Sequence, residues 1–589
     1  MRLLEEQGVR MARERRLLDE HARATAGFTV QSWWATPSGE LCVNFELKLV
    51  KSFFAGVLVY PELFPDVPAF VRPQKSGESW SSHQYRGSGV LCLQYGPDNW
   101  HRDITGVDLV QSTSELIWGE ILNGVVPDFG PVPSRHQDSD AQSLSAHDER
   151  LVVTRALKEL LEGPGLSSPV QIQAVVDWLK GESVAVVLQA GDPLVAFHDV
   201  PVSLSQGPGI RVMGVAVPVP GAASLYSAKD AQDLQSLLGA AWPWDDGLTD
   251  KLHFLIAHDE EAQLCAFLLK GGSQPLFQRY HAADFSADKP QRLPASFTKL
   301  IDASVAVVGM GSLGSKIAVS LARAGVRNFV LVDDDVLGPH NLVRNEFNWY
   351  DVGFSKLAAG ARALKLVAPG ASVTTWPIKI AEQGNPSVSA MVAKAVASCT
   401  LVIDATANPN AFVTLAAITK RAGQAMVWGE VFGGGGGGLM ARSRPGMDTD
   451  ALGVRTHLYG VMQEMAPAPT GSATNYGVES EDKVYVASDA DVGSLAASIT
   501  QFCLDTLCAA PSEYPAAAYL IGFRKFWEFR CPFDVIPVDC PSFLPPEPQA
   551  LSERDQQEFD AFQRLISEGA SAANHSAALH PAQAAYSAS

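Results

Sequence analysis

A glycine-rich turn carries the strongest chemical signal in this 589-residue sequence. Gly309, Gly311 and Gly314 follow the apolar run 305–308 and precede a segment with helical character. Glycines let a backbone approach phosphate oxygens closely, and a helix N-terminus supplies amide donors and a positive dipole. The segment therefore predicts a strand, a turn and a helix that bind the phosphates of a nucleotide.

The polar residues that follow indicate which nucleotide chemistry the turn serves. A second apolar strand ends in Asp333 and Asp335, where a carboxylate can accept hydrogen bonds from ribose hydroxyls. Asn341, Arg344 and Lys356 come next, and two cations can neutralise the charge that develops on phosphates during adenylyl transfer. A dinucleotide dehydrogenase has no need for these cations, so the pattern favours a site that uses ATP.

These linked motifs resemble the ThiF-like adenylation domain shared by ubiquitin-activating enzymes and bacterial sulfur-carrier activators. That family combines Gly-x-Gly-x-x-Gly with Asp-x-Asp, Asn-Leu-x-Arg and Gly-x-x-Lys, and the last motif here is Gly353 with Lys356. The resemblance implies ATP and Mg²⁺ as cofactors. It places these residues at the nucleotide: Gly309, Gly311, Gly314, Asp333, Asp335, Asn341, Arg344 and Lys356. A generic Rossmann domain with exposed charges is the alternative.

One departure from this family concerns the metal. The family usually carries Asp-x-x-Asp-Asn after a later strand, and the second acid helps to hold magnesium. Here the strand ends in Asp404, and Ala407 stands where the second acid is expected. We predict that Asp404 binds the metal with help from Asp335. The alternatives are that Asp404 only caps the next helix, or that the ATP chemistry is impaired.

The N-terminal part contains a cysteine in a second distinctive setting. Alternating apolar strands lead into the proline-rich stretch 60–68, and Cys92 then lies eight residues before Trp100. Over residues 1–125 this arrangement resembles a ubiquitin-conjugating domain. The resemblance implies that Cys92, as an exposed thiolate, accepts an acyl group and passes it to an amine. A buried core cysteine is the alternative, since free cysteines are often buried.

The same resemblance implies a hydrogen-bond donor for the oxyanion that forms at this cysteine. The family's His-Pro-Asn motif places an asparagine eight residues before the cysteine. In this chain Gln84 stands at that position and His83 precedes it. We predict that Gln84 or His83 donates this hydrogen bond.

An activating enzyme of this kind normally forms a thioester of its own before it transfers the substrate. Cys503 and Cys508 lie in or beside the apolar helical pattern 495–507, which predicts core positions. Cys540 lies in a proline-rich segment that we predict to be exposed, as suits a mobile nucleophile. Cys540 is therefore the candidate activating thiol and Cys531 the second candidate. An unreactive thiol in a surface loop is the alternative for Cys540.

Periodicity and turn residues predict the elements that must position these groups. The elements predicted before the nucleotide motifs are helix 3–25, strands 43–49 and 53–59, helix 107–122, helix 151–161, and strands 184–189 and 210–218. After residue 293 strand and helix signals alternate, as in parallel α/β domains. The six glycines 433–438 are predicted to form a mobile loop.

The predicted fold class is a multidomain α/β protein. We expect an α+β ubiquitin-conjugating-like domain at 1–130, a linker domain at 150–290 and a Rossmann-like ThiF adenylation domain at 291–545. A flexible tail is expected at 546–589, with one helix at 551–569.

Composition argues against several classes of function. The formal net charge of -19 leaves no basic surplus to neutralise phosphates, so nucleic acid is not an expected partner. The N-terminus is charged and no apolar run reaches membrane-spanning length, so no membrane partner is expected. The 8 cysteines form no Cys-x-x-Cys pair, which predicts reduced thiols in a cytoplasmic protein.

The order of conjugating domain, middle block and activating domain resembles the bacterial fusion enzyme of antiphage CBASS operons. That resemblance implies that ATP adenylates a protein C-terminus, that Cys540 captures the acyl group, and that Cys92 passes it to a target amine. The implied partners are the tail of a cGAS-like nucleotidyltransferase or of a ubiquitin-like protein, the target protein, and a second copy in a homodimer. Two alternatives remain open: a sulfur-carrier activator whose N-terminal domain only binds, and a non-catalytic scaffold.

Overall fold

A computed structural model gives the fold of the chain. It describes residues 2–81, 83–85, 88–125, 144–145, 147–163, 168–245, 247–260, 263–286, 292–465, 477–480, 483–508, 511–542, 552 and 554–566. The chain divides into two compact units, Met1–Ala146 and His147–Ser589. Residues 126–143 lie outside the described residues, and the domain boundaries predicted from the sequence stay predictions.

The described residues of the first unit form an α+β arrangement of long helices and one antiparallel sheet. Its elements are α1 (Arg2–Ala24), β1 (Phe28–Ala35), β2 (Leu41–Leu49), β3 (Ser52–Tyr60), β4 (Phe70–Pro73) and α2 (Gly106–Val125). The strands pair in the order β1-β2-β3-β4, as a meander. Alternating apolar residues of the strands and apolar residues of both helices meet in one core, which confirms the helix and strand predictions for this unit.

The second unit begins with a closed barrel. Its elements are β5 (Glu149–Val153), α3 (Arg155–Glu162), β6 (Val170–Leu179), β7 (Glu182–Ala190), β8 (Val195–Ala196), β9 (Ile210–Pro218), α4 (Ala231–Leu238), β10 (His253–His258), β11 (Leu264–Lys270) and β12 (Leu276–Asp284). Because β5 pairs with β12 on one side and with β7 on the other, seven strands close in the order β5-β12-β11-β10-β9-β6-β7. Leu157 and Leu161 of α3 pack into the apolar core of this barrel.

The start of the barrel corrects one prediction. The helix predicted at 151–161 is wrong at its beginning, since Glu149–Val153 form a strand and the helix starts only at Arg155. The Thr154 side chain accepts a hydrogen bond from the Leu157 N–H, and this N-cap fixes the helix start. The two strands predicted in this block are confirmed.

A second large sheet carries the predicted nucleotide motifs. Its strands are β13 (Ser304–Val308), β14 (Asn328–Val332), β15 (Ser372–Trp376), β16 (Leu401–Asp404), β17 (Ala425–Phe432), β18 (Gly437–Ser443), β21 (Ala518–Gly522) and β22 (Val535–Val538), with β19 (Gly477–Ser480) and β20 (Lys483–Val486) as a separate pair. The helices are α5 (Ser312–Ala324), α6 (Lys356–Val367), α7 (Pro386–Ala397), α8 (Pro409–Ala422), α9 (Ala451–Glu464) and α10 (Asp489–Cys508).

The strand order of this sheet creates a crevice. The order is β15-β14-β13-β16-β17-β18-β21-β22, parallel from β15 to β17 and antiparallel from there on. The strand order reverses at β13, because β14 and β15 lie on one side of it and β16 and the later strands lie on the other. Ligands of such sheets bind at this switch point, outside the carboxyl ends of the strands. Apolar cores on both faces of the sheet hold this edge in place. The prediction of a Rossmann-like domain in this region is confirmed.

The run of six glycines is a packed element rather than the predicted mobile loop. Gly433–Gly435 form a short 3-10 turn, and Gly437 and Gly438 begin β18. A Cβ at Gly437 would lie 2.6 Å from the Phe529 ring. The prediction was wrong because the glycines provide room for neighbouring side chains, which a local sequence pattern does not show.

The predicted tail lies largely outside the described residues, but residues 554–566 within it form a helix, which confirms the helix expected there. No helix in the described part of the chain is both long enough and apolar enough to cross a membrane.

Candidate nucleotide site and candidate thiols

The predicted glycine turn joins β13 to α5. Gly309 has a φ of +89°, and its N–H donates to the Val332 carbonyl at 2.8 Å. A Cβ at Gly309 would lie 2.9 Å from the Ala405 carbonyl oxygen, and one at Gly314 would collide with the Gly309 carbonyl. A Cβ at Gly311 would meet no atom of the described residues within 4 Å. Gly309 and Gly314 therefore allow the turn to pack, whereas Gly311 keeps space open.

That space belongs to a cavity of about 880 Å³ at the carboxyl ends of the parallel strands. Its size lies in the range of small-ligand sites. Seven of the eight residues predicted at the nucleotide line it: Gly309, Gly311, Asp333, Asp335, Asn341, Arg344 and Lys356. The eighth, Gly314, is buried in the first turn of α5. The fold thus gathers residues of four separate motifs around one cavity.

The two predicted ribose acids have different surroundings. Asp333 accepts hydrogen bonds from the Met310 N–H at 2.6 Å and the Asp335 N–H at 2.8 Å, while burial raises the pKa of its carboxyl. Asp335 is exposed, and its carboxylate accepts from the Lys356 ammonium at 2.6 Å. Asp333 therefore stabilises the glycine turn, and Asp335 fixes the position of Lys356 on the cavity wall.

Asn341 and Arg344 lie on the 3-10 turn Pro339–Val343 and directly after it. The Asn341 side-chain oxygen accepts from the Gly338 N–H at 2.8 Å, which closes this turn. The Arg344 guanidinium donates to the Ala487 carbonyl at 3.1 Å, just before α10. Because Arg344 and Lys356 line the same cavity, the two predicted cations can act on one bound ligand.

Asp404, the predicted metal ligand, is buried and hydrogen-bonded within its own turn. Only 5% of its surface is exposed, and it accepts hydrogen bonds from the Thr406 N–H and hydroxyl at 3.0 and 2.6 Å. Burial raises the pKa of this carboxyl. The described cavity wall includes Ala405–Asn408 rather than Asp404 itself. The cap of α8 is Asn408, so Asp404 stabilises the turn before that helix instead of capping it.

Three charged residues of the cavity wall were not among the predicted site residues: Asp334, Lys379 and Glu430. Glu430 is the lone acid in the otherwise apolar strand β17, and that isolation was the available signal. Carboxylate oxygens suit Mg²⁺, which proteins usually hold through one or two carboxylates together with substrate phosphates. Among the described residues there is no group of three or more His, Cys, Asp or Glu side chains that could together hold a metal ion.

Cys92 in the first unit is partly exposed. Its backbone N–H donates to the His83 carbonyl at 2.9 Å, and the Tyr85 hydroxyl lies 4.0 Å from its Sγ. The flanking Leu91 and Leu93 are buried and anchor the segment in the core. Cys92 is thus a partly exposed residue on a backbone that two buried neighbours hold in place, and the role of its thiol as a nucleophile stays a prediction.

The Gln84 side chain forms hydrogen bonds with the backbone of its own loop. Its side-chain oxygen accepts from the Trp80 N–H at 2.9 Å, and its side-chain nitrogen donates to the carbonyls of Glu78 and Gly89, each at 2.9 Å. In this structure the amide stabilises the loop before Cys92. Its predicted role as an oxyanion donor therefore has no support from the geometry.

The candidate activating thiols differ in exposure. Cys503 is fully buried, as predicted for a core residue. Cys540 is half-buried rather than exposed as predicted, because the preceding residues form β22 and the Thr449 N–H bonds the Pro541 carbonyl. Burial raises the pKa of the Cys540 thiol to about 11. Cys531 is exposed.

We expect iodoacetamide at pH 8 to alkylate Cys531 well before Cys540. Alkylation needs the thiolate, and with a pKa of about 11 only on the order of one Cys540 in a thousand is ionised at that pH. The Cys540 rate should rise about tenfold per pH unit up to its pKa. Peptide mass mapping over a time course measures both rates. Equal labelling at pH 8 would mean that Cys540 is reachable and activated.

The strand order and the glycine turn define a Rossmann-like domain with a polar cavity at its strand ends. Residues 288–474 match the ThiF family. A segment is 33% identical over 148 residues to "Uncharacterized protein y4qC" of Sinorhizobium fredii, covering 24% of this chain and 25% of that protein. Another comparison gives 27% identity over 164 residues with "ATP-dependent ubiquitin transferase-like protein Cap2" of Enterobacter hormaechei, covering 26% of each chain.

Among solved structures, E. coli MccB with ATP aligns at a TM-score of 0.32 with 16% identity, covering 42% of this chain and 67% of that chain. The chain spans between 25% and 32% of the length of the first curated relatives that it matches.

Proposed function

We propose that the chain activates the C-terminal carboxylate of a protein with ATP and transfers it through cysteines to a target amine. The observation that carries this proposal is the cavity beside the glycine turn, whose wall combines open space at Gly311 with the cations Arg344 and Lys356. The ThiF-family match and the similarity to a ubiquitin transferase-like protein support the same activity.

In the first step the substrate carboxylate attacks the α-phosphorus of ATP, an acyl–adenylate forms and pyrophosphate leaves. Backbone amides at Gly311 and the start of α5 bind phosphate oxygens, since a helix N-terminus favours anions. Arg344 and Lys356 offset the negative charge that gathers on the departing pyrophosphate. When bound, Mg²⁺ shields and orients the phosphates.

In the later steps a thiolate attacks the acyl carbon, AMP leaves and a thioester forms. We place the first thioester at Cys540 or Cys531, of which Cys531 is the more exposed. The Cys92 thiolate then displaces the first sulfur and takes the acyl group. Finally an amine attacks this thioester, loses a proton and forms an amide, and the Cys92 thiolate leaves.

The proposed substrate is the tail of a cGAS-like nucleotidyltransferase in antiviral defence, and the alternative is a bacterial ubiquitin-like protein. We also propose that the chain forms a homodimer through its adenylation domain. Three aromatic residues of this domain, Trp349, Tyr350 and Phe354, are more than half exposed. Clustered exposed aromatic surface of this kind favours contact with another protein.

The test of this function is a trap at position 92. A Cys92→Lys chain would hold the transferred group as a stable amide instead of a labile thioester. We expect a tagged Cys92→Lys chain, purified from host cells under denaturing conditions, to carry a protein C-terminus at that position in peptide mass spectra. A matching synthetic C-terminal peptide should then support ATP–pyrophosphate exchange by the wild-type chain.

The control for the trap is Cys92→Ala, which should carry no adduct. A Cys92→Lys chain that carries none, from cells in which wild-type conjugates form, would refute transfer through Cys92. Failure of exchange with every recovered C-terminus would refute the adenylation step.

A further inference from the structure

Glu430 occupies a defined position on the cavity wall. In the parallel pairing of β16 with β17, Asp404 lies opposite Trp428. Side chains alternate along a strand, so Glu430, two residues after Trp428, lies on the same face of the sheet. Unlike Asp404, Glu430 lines the cavity. It therefore brings a carboxylate to the wall at the end of β17, across the switch point from the acids that follow β14.

The carboxylate of Glu430 is held by a neighbouring helix. The Tyr459 hydroxyl on α9 donates to Oε1 at 2.7 Å. Tyr459 is itself held through its ring, since the Arg455 guanidinium lies 5.3 Å from the ring centroid. A single neutral donor on Oε1 fixes the direction of the carboxylate without removing its charge, which leaves lone pairs for a further ligand.

The acids that were predicted for this site are already engaged, whereas Asp334, which also lines the cavity, is exposed to solvent. Asp333 accepts two backbone N–H groups, and Asp335 is paired with Lys356. Asp404 accepts from Thr406 and lies outside the cavity wall. Among the described residues, no Lys or Arg forms an ion pair with Glu430. A carboxylate with no cationic partner, on the wall of a cavity that takes phosphates, repels its ligand unless a cation lies between them.

We propose that Glu430, positioned by Tyr459, supplies the carboxylate that binds the magnesium ion of bound Mg–ATP. The inference rests on the proposed function, because it needs ATP in this cavity. Mg²⁺ typically joins one or two protein carboxylates to substrate phosphates. On this assignment the ion removes the repulsion between Glu430 and the phosphates, and Asp404 keeps only the role of holding its turn.

The test compares Glu430→Gln, Tyr459→Phe and the control Glu464→Gln, an exposed acid at the end of the same helix α9. Manganese serves as the probe, and electron paramagnetic resonance measures its affinity in the presence of ATP. Calorimetry measures the affinity for ATP with Mg²⁺ and with EDTA. These readouts need no turnover.

We expect Glu430→Gln to weaken manganese binding by more than tenfold and to lose most of the gain in ATP affinity that Mg²⁺ gives. Its ATP affinity in EDTA should equal or exceed that of the wild type, because a repelling charge is gone. Tyr459→Phe should weaken manganese binding by about tenfold, as the loss of an orienting partner does. Glu464→Gln should match the wild type.

Wild-type manganese affinity in Glu430→Gln, with the loss appearing instead in Asp404→Asn, would overturn the assignment while leaving adenylation intact. A wild-type chain that binds no ATP at all would refute the proposed function, and this inference with it. A variant that loses ATP affinity equally with and without the ion would also overturn the assignment, since the carboxylate would then act on the fold.

Discussion

Replacing Cys92 with alanine is expected to abolish conjugate formation while ATP–pyrophosphate exchange continues at the wild-type rate. The two activities separate because Cys92 lies in the first compact unit and the nucleotide cavity in the second. Loss of a catalytic nucleophile lowers turnover by a factor on the order of 10⁶. Conjugates should therefore fall below detection on immunoblots of the tagged substrate, and exchange is measured with labelled pyrophosphate.

A matched control is Cys508→Ala, a half-buried cysteine at the end of α10 that is not assigned to the relay. It should retain both activities. Persistence of product in Cys92→Ala would favour the alternative of a sulfur-carrier activator, whose first unit serves only as a binding module. Absence of both activities from the wild-type chain would favour a non-catalytic scaffold.

Gly311→Val should eliminate nucleotide binding without unfolding the chain. Its φ of -75° is accessible to any residue, and a Cβ there would meet no atom of the described residues within 4 Å. The added side chain would instead enter the space that phosphates need. We expect the Kd for ATP to rise by a factor on the order of 100. This corresponds to a loss of about 3 kcal/mol of binding free energy through a steric clash with the ligand. Calorimetry measures the Kd.

The contrasting variant is Gly314→Ala, whose Cβ would collide with the Gly309 carbonyl inside the turn. That overpacking should cost about 1–3 kcal/mol of unfolding free energy. Thermal denaturation should therefore separate the two variants, with a near-normal Tm for Gly311→Val and a lowered Tm for Gly314→Ala. Unchanged ATP affinity in a folded Gly311→Val chain would place the nucleotide elsewhere.

Local pattern was sufficient for the parts of the site that are continuous in sequence. The strand, the glycine turn and the start of α5 were predicted because three closely spaced glycines determine the backbone there. Asp335 and Lys356 were also predicted, and the structure adds that they form an ion pair. The likeness of the first unit to a ubiquitin-conjugating domain stays a prediction, although its helices and strands were correctly placed.

The features that sequence reasoning missed depend on contacts between distant segments. Glu430 reaches the cavity only because β16 and β17 are adjacent in the sheet. Cys540 loses exposure because β22 pairs with β21, which orders the chain just before it. Gln84 has the right spacing for an oxyanion donor, but three backbone groups of its own loop occupy its amide. The spacing of residues in the sequence indicates which side chains could take part in catalysis. It does not show which of those side chains are already hydrogen-bonded to other groups in the fold.

Because β5 closes the barrel of the second unit, the barrel cannot be completed until its last strand has been synthesised. β5 is the first strand of the barrel to leave the ribosome, yet one of its two neighbours, β12, ends at Asp284. Until that residue is translated, the nascent barrel keeps an unpaired strand edge of the kind that invites intermolecular association. A chain truncated inside the barrel would therefore keep this strand edge exposed.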